Sequence, residues 1–332
     1  MTQVDRFALI QSVFNREPTE KVPFSMWKHF VEADKTPEGL AEAQLNFQRQ
    51  FGSDLMKISP HGSYCVVDFG GVLGDYNPVS GSRICVRKPI LSLDDWETLE
   101  PIDPNAGEFG AQVKAVQLIH NQLENEIPTM MTIFSPFMVA SKLDPALLEH
   151  LVQDRTLLKE QIQMLTKLMS EFCGAVLDAG SDGLFLATQH FNSLLSPSSL
   201  NDFEFQPLKT LLDQYQHKSA FNVLHLHGNS PFFHKATEMP HVSAINWHDQ
   251  RTEPSLLEAR QHFDRGLLGG LDEMGIIRTG SRGDIERAIY SIHRQFNDWG
   301  LMFSPGCVLP LDVPDEHLTW VAETINSLQP IG

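Results

Sequence analysis

Short apolar runs alternating with longer stretches of helical spacing constrain this chain more than any other feature. Eight such runs recur: Val22–Trp27, Asp54–Ile58, Thr129–Phe134, Gly183–Ala187, Asn222–His227, Ala244–His248, Gly266–Leu271 and Leu301–Ser304. Each has the length and apolar content of a buried strand. Helical spacing fills the intervals at Pro37–Phe51, Gly110–Glu124, Leu143–Cys173, Pro197–Gln216, Ser255–Phe263, Gly283–Phe296 and Pro314–Leu328. An amphipathic helix over Val4–Phe14 comes before the first run. Eight strands each followed by helix predict an α/β fold, a single (β/α)8 barrel. It would occupy residues 1–332 as one domain, with the N-terminal helix as a plug. An open doubly wound sheet is the alternative, but its first turn normally carries a Gly-rich phosphate loop, and none follows Met26.

Residues 60–108 interrupt the rhythm. They hold Gly70, Gly71, Gly74 and Gly81, and two β-like pieces, Tyr64–Phe69 and Ser82–Arg87. This stretch reads as an insertion after the second strand, a hairpin folding over the site. A short helix is expected at Asp94–Leu99.

Charge narrows the partners. A formal net charge of −17 argues against nucleic acid or an anionic membrane, both of which demand basic patches. No apolar run reaches the roughly 18 residues of a membrane span. The N-terminus shows no secretory pattern, which points to the cytoplasm. The four cysteines, Cys65, Cys85, Cys173 and Cys307, form no CxxC pair and read as free thiols.

In such a barrel the active site lies at the C-terminal ends of the strands. Those ends carry Trp27, Lys28 and His29, then His61, then Gln189 and His190. Later ends carry His225, His227 and Asn229, then Trp247, His248 and Asp249, then Asp272 and Glu273, and finally Cys307. Six of the fourteen histidines fall in this short set. His225 and His227 stand two apart, so on an extended chain they share a face. Cys307 follows a Pro305-Gly306 turn that can aim its sulfur inward. Two imidazoles and a thiolate suit zinc in a three-ligand catalytic site, although cobalt and iron take the same donors. Magnesium, which wants carboxylates and water, does not fit. The ordinary reading of Lys28 and Lys57 is solvated surface, and of Cys65, Cys85 and Cys173 is packing.

The chain resembles the uroporphyrinogen decarboxylase superfamily nearly end to end. The resemblance rests on Asp5-Arg-Phe-Ala-Leu-Ile10, Arg16–Pro23, Phe51-Gly-Ser-Asp54, Ser135-Pro-Phe137, Leu224-His-Leu-His-Gly228, Gly269-Gly-Leu-Asp272, Ser304–Pro310 and Pro314–His317. It implies a (β/α)8 barrel. True decarboxylases of the family carry substrate-binding arginines after the first strand, where this chain has Lys28 and Glu32. The decarboxylase aspartate falls near His61, and its late histidine falls at Gly306. The other branch, the corrinoid-linked methyltransferases such as methylcobalamin:coenzyme M methyltransferase, holds zinc with a His-x-Cys pair and a later Cys. These positions fall on His225, His227 and Cys307, with His227 replacing a cysteine.

The resemblance therefore implies a zinc-dependent methyltransferase, taking a methyl group from a corrinoid, such as methylcobalamin on a partner protein, to a zinc-activated thiol. His225, His227 and Cys307 would be the metal and catalytic residues. Trp27, Lys28, His61, Gln189, Asn229, Trp247, His248 and Asp272 would surround a small thiol or carboxylate substrate. The alternatives are a metal-independent lyase acting on a carboxylate with Lys28 and His61, and a non-catalytic corrinoid or metal carrier.

Overall fold

The computed structural model describes residues 4–123, 125–296 and 298–330. Its centre is a curled sheet of seven parallel strands. In chain order the strands of the molecule are β1 (Met56–Ile58), β2 (Val72–Tyr76), β3 (Arg83–Arg87), β4 (Thr129–Phe134), β5 (Gly183–Thr188), β6 (Phe221–Leu226), β7 (Ala244–Trp247), β8 (Gly266–Leu271) and β9 (Leu301–Pro305). The sheet runs β1-β4-β5-β6-β7-β8-β9, and β2 and β3 form a separate antiparallel pair. Every residue of the seven sheet strands is buried. Helices cover the outer face of this sheet, which is why its strands read as continuous apolar runs. No helix among the described residues is long and apolar enough to cross a membrane.

The expected first strand, Val22–Trp27, is reduced to a single parallel bridge between Phe24 and Phe303. Ser25 N donates to Phe303 O at 2.9 Å, and Phe303 N donates to Pro23 O at 3.0 Å. On its other side Asp54 N donates to Phe24 O at 2.9 Å, while Met26 N finds the Ser53 hydroxyl and Ser25 Oγ donates to Leu55 O. The segment thus lies between β9 and the approach to β1. Pro23 removes one ladder donor, and side chains replace part of the ladder on the β1 side.

The helix Arg6–Phe14 starts at Asp5, whose carboxylate accepts from Ala8 N. Its last residue, Phe14, meets Phe221 edge-on at 5.5 Å and sits so close to Gly266 that a Cβ there would fall 2.6 Å from the ring. Phe221 and Gly266 open β6 and β8, so the helix packs on the end of the sheet away from the site. Asp54 secures the nearby chain, pairing with Lys21 at 2.9 Å and accepting from Phe24 N at 3.1 Å.

The insertion differs from expectation in one piece. Tyr64–Val67 is a helical turn, not a strand. Tyr64, Cys65 and Val66 are all buried, and Tyr64 stacks on Phe134 at 5.1 Å, so consecutive apolar residues here fill a corner of the core. β2 and β3 form a hairpin whose tip is turned by Asn77, its side chain accepting from Val79 N and Ser80 N. The tip is tied down on both sides. Gly62 N donates to Ser82 Oγ at 2.9 Å, and Leu311 N donates to Val79 O at 2.8 Å.

Candidate metal centre

The ends of β6, β7, β8 and β9 converge, and each contributes a working part. His225 lies in β6, and His227 follows its last residue. Asn246 lies in β7 in register with His225. His248 and Arg251 follow β7, Glu273 follows β8, and Cys307 follows β9. One nitrogen or sulfur from each of His225, His227, His248 and Cys307 lies within 4.8 Å of every other. Cys307 Sγ is 3.6 Å from His227 Nδ1.

Asn246 sets the state of His225. Its Nδ2 reaches Leu268 O at 3.0 Å and Pro305 O at 3.1 Å, two oxygens that can only accept. That end must be the amide NH2, so Oδ1 is the atom 2.6 Å from His225 Nδ1. The imidazole proton therefore sits on Nδ1, leaving Nε2 with its lone pair free. An imidazole whose second nitrogen is held in this way is the usual form of a metal ligand. Burial, then the neighbouring His227 and His248, holds the His225 pKa well below the ordinary histidine value. His227 opens onto the cavity but is enclosed elsewhere. That desolvation, followed by His248, Lys142 and Arg251, lowers its pKa to about 4. Both rings are neutral near pH 7, as a metal ligand must be.

Glu273 sets Cys307. Its Oε2 accepts from Gly306 N at 3.1 Å, and its Oε1 takes Arg251 Nη2 at 2.6 Å. Gly306 lets the chain pass close at this turn, because a Cβ would fall 2.8 Å from Trp247 O and 2.9 Å from His248 Cα. Burial pushes the Cys307 thiol up to about 11. A cation at this position is what would make it a thiolate at neutral pH. The donor set, two neutral imidazoles and one thiol, fits zinc.

The cluster forms one wall of an open cavity of about 220 Å³. Trp27, Gln189, His225, His227 and Cys307 line it, as do Ser80 and Ser82 of the hairpin tip. Two lysines line it as well. Lys57 is 4 % exposed, donates to Ser59 Oγ at 3.0 Å and lies 4.6 Å from the Phe185 ring centre. Lys142 lies 4.7 Å from the Phe134 ring centre. Neither pairs with a carboxylate among the described residues. Burial lowers both pKa values, that of Lys57 to about 7.

Five residues expected at the substrate do not line this cavity. Trp247 points away from the cavity, donating Nε1–H to Pro254 O at 2.8 Å and packing on Phe233 at 4.7 Å. Adjacent strand residues face opposite sides, and Asn246 holds the inner position. Asp272 turns back to accept from Gly275 N at 3.0 Å, so Glu273, one residue on, faces the site. Asn229 is exposed beyond Gly228 and is not part of the cavity wall. His61 is buried with Nε2 3.1 Å from Glu108 Oε1, and only its neighbours Pro60 and Gly62 reach the cavity. Lys28 is half-buried and also absent from the wall, whereas Lys57 and Lys142 are on it. Asn246, Arg251 and Lys142 lie outside the set of strand-end residues expected from the sequence, whereas Glu273 belongs to it. A polar residue inside an apolar strand was the available signal for Asn246 and for Lys57.

Comparison with known proteins places this architecture. The uroporphyrinogen decarboxylase (URO-D) family profile matches residues 9–328. The chain belongs to the uroporphyrinogen decarboxylase family. Among curated proteins it is 19% identical over 242 residues to the methylcobamide:CoM methyltransferase MtbA of Methanosarcina mazei, covering 72% of this chain and 69% of that protein. Among solved structures it resembles a methyltransferase from Methanosarcina mazei, with TM-score 0.80 and 18% identity, covering 97% of this chain and 98% of the other. A B12-independent methionine synthase from Shewanella sp. W3-18-1 shares the fold more loosely, with TM-score 0.57 and 11% identity over 94% of this chain and 97% of the other. Within this family the His225, His227 and Cys307 cluster stands at the end of the sheet where (β/α)8 enzymes keep their chemistry.

Proposed function

We propose that this chain is a zinc-dependent methyltransferase that passes a methyl group from a corrinoid, carried on a separate protein, to a small thiol. The observation that carries the reading is the convergence of His225, His227 and Cys307 on a cavity, in a family member similar to a methylcobamide:CoM methyltransferase. The same reading makes residues 22–27 the first stave of an eight-stranded barrel in a single domain.

Bound by His225 Nε2, His227 and Cys307, zinc would supply a Lewis acid that holds the acceptor thiol as thiolate near pH 7. Asn246 keeps His225 in the ligating tautomer. Glu273 and Gly306 hold the turn that presents Cys307. Trp27 and Phe185 give the cavity an aromatic wall, and Lys57 and Lys142 give it two amines that pair with no carboxylate among the described residues. An acceptor bearing an anionic group, a carboxylate or sulfonate, suits that lining. In the transfer the sulfur–carbon bond forms as the carbon–cobalt bond of the donor breaks, the bonding pair remaining with cobalt.

A metal-independent lyase would draw on Lys28 and His61, and neither lines the cavity. The deciding experiment is metal analysis of the purified protein and of Cys307→Ala. One equivalent of zinc in the wild type, lost in the variant together with thiol methylation, is the expected result. Full activity after exhaustive chelation would overturn the reading.

A further inference from the structure

Four metal-capable side chains meet here, yet their hydrogen atoms do not make them equivalent. We infer that His248 is not a ligand of the proposed metal but a fixed hydrogen-bond donor to whatever occupies the open coordination position. This rests on the metal-centre reading above and deepens it.

Arg251 Nη2 lies 2.5 Å from His248 Nδ1. A guanidinium has no acceptor, so it donates and the Nδ1 lone pair is used. The guanidinium is itself anchored, because Nη2 also reaches Glu273 Oε1 at 2.6 Å. Glu273 is 2 % exposed and in turn holds Gly306 N. With Nδ1 accepting, neutral His248 carries its proton on Nε2. That Nε2 is buried and has no hydrogen-bond partner. Neither nitrogen of His248 offers a free lone pair to a cation, while one offers an N–H.

His225 has the opposite arrangement. Its proton is on Nδ1, given to Asn246, and its Nε2 is free to ligate. His227 presents Nδ1 3.6 Å from Cys307 Sγ, so the partner of that nitrogen is itself one of the three proposed ligands. The cluster therefore sorts into three lone-pair donors and one N–H donor. Three protein ligands with one open position is the pattern of catalytic rather than structural zinc. A buried donor costs free energy unless it is satisfied, and an anionic sulfur in the open position would satisfy it.

The test uses the full-length protein loaded with Zn(II) or Co(II), as wild type, His248→Ala and Arg251→Gln, with His225→Ala as a ligand control. X-ray absorption counts the imidazoles on the metal. 2-Mercaptoethanol binding to the Co(II) form is read from its sulfur-to-cobalt charge-transfer band. Two imidazoles and one sulfur are expected in both the wild type and His248→Ala, with metal stoichiometry retained. Thiol affinity should fall about tenfold or more in His248→Ala. In Arg251→Gln the freed Nδ1 lets the tautomer switch, and a third imidazole should join the metal. Three imidazoles in the wild type, or metal loss in His248→Ala equal to that in His225→Ala, overturns the inference and leaves the metal centre standing. Wild type that holds no stoichiometric metal overturns the metal centre itself. Should His248→Ala fail to fold, the wild-type count and Arg251→Gln still decide.

Discussion

Asn246 Oδ1 lies 2.6 Å from His225 Nδ1, and the rest of the Asn246 amide is spent on the carbonyls of Leu268 and Pro305. One buried side chain thus links β6, β7, β8 and β9 at the level of the site, and it fixes which nitrogen of His225 is available. Replacing it should separate folding from metal binding. Asn246→Leu is expected to lower zinc affinity about 10- to 100-fold, the usual cost of losing an outer partner. Asn246→Asp, which keeps an acceptor for Nδ1–H, should lose less. Chelator competition measures both, and equal affinity in Asn246→Leu and wild type would remove Asn246 from this role.

Gly306→Ala tests the turn that presents Cys307. The added methyl group would meet backbone atoms, Trp247 O at 2.8 Å and His248 Cα at 2.9 Å, that cannot move without moving β7. Overpacking of this kind costs about 1–3 kcal/mol. The chain should still fold, with Cys307 displaced and zinc affinity reduced at least tenfold. Urea unfolding and zinc titration, run on the same preparation, distinguish this from global destabilisation.

Lys57 links stability to function in opposite directions. Its folded pKa of about 7 lies below the ordinary 10.5, chiefly because of burial. Between pH 7 and 10.5 the unfolded chain holds more protons, so this group makes stability rise with pH across that window. Below about pH 7 its full desolvation cost is present. Lys57→Met should therefore stabilise the protein by of order a few kcal/mol at pH 6 and by little above pH 10. The same variant should bind an anionic acceptor more weakly. A variant that is less stable at pH 6 would show that Lys57 has a counter-ion.

Asp249 has the reverse sign. Burial raises its folded pKa from 3.8 to about 7, against hydrogen bonds from Gln250 and Gly270. The folded state holds the extra proton between those values, so the contribution to stability is complete below pH 3.8 and is lost as pH rises through 7. Asp249→Asn should match the wild type near pH 4 and exceed it above pH 7 by of order a few kcal/mol. Urea unfolding from pH 4 to 8 follows the difference. Parallel profiles for the two proteins would mean that Asp249 is ionised throughout.

The histidine pair and Cys307 were legible in the sequence because local rules determine them. His225 and His227 share a face through the two-residue period of an extended chain, and Pro305-Gly306 announces the turn before Cys307. The run 22–27 was recognised as part of the sheet, but its reduction to one bridge depends on Ser53 and Asp54, which compete for its donors and acceptors from another segment. Tyr64–Val67 is a helical turn where the sequence suggests a strand, because four consecutive apolar residues suit a strand and a buried helical turn equally well.

What the amino-acid sequence determined by itself was the alternation that builds the sheet and the residue types that meet at its end. Only the tertiary structure decided which of two neighbours faces the site: Asn246 rather than Trp247, Glu273 rather than Asp272, Trp27 rather than Lys28. The reason is geometric. Strand parity is set by register with adjacent strands, and past a strand's last residue parity no longer holds. Protonation state was decided there too, since His225 and His248 are the same residue type until Asn246 accepts from one ring and Arg251 donates to the other.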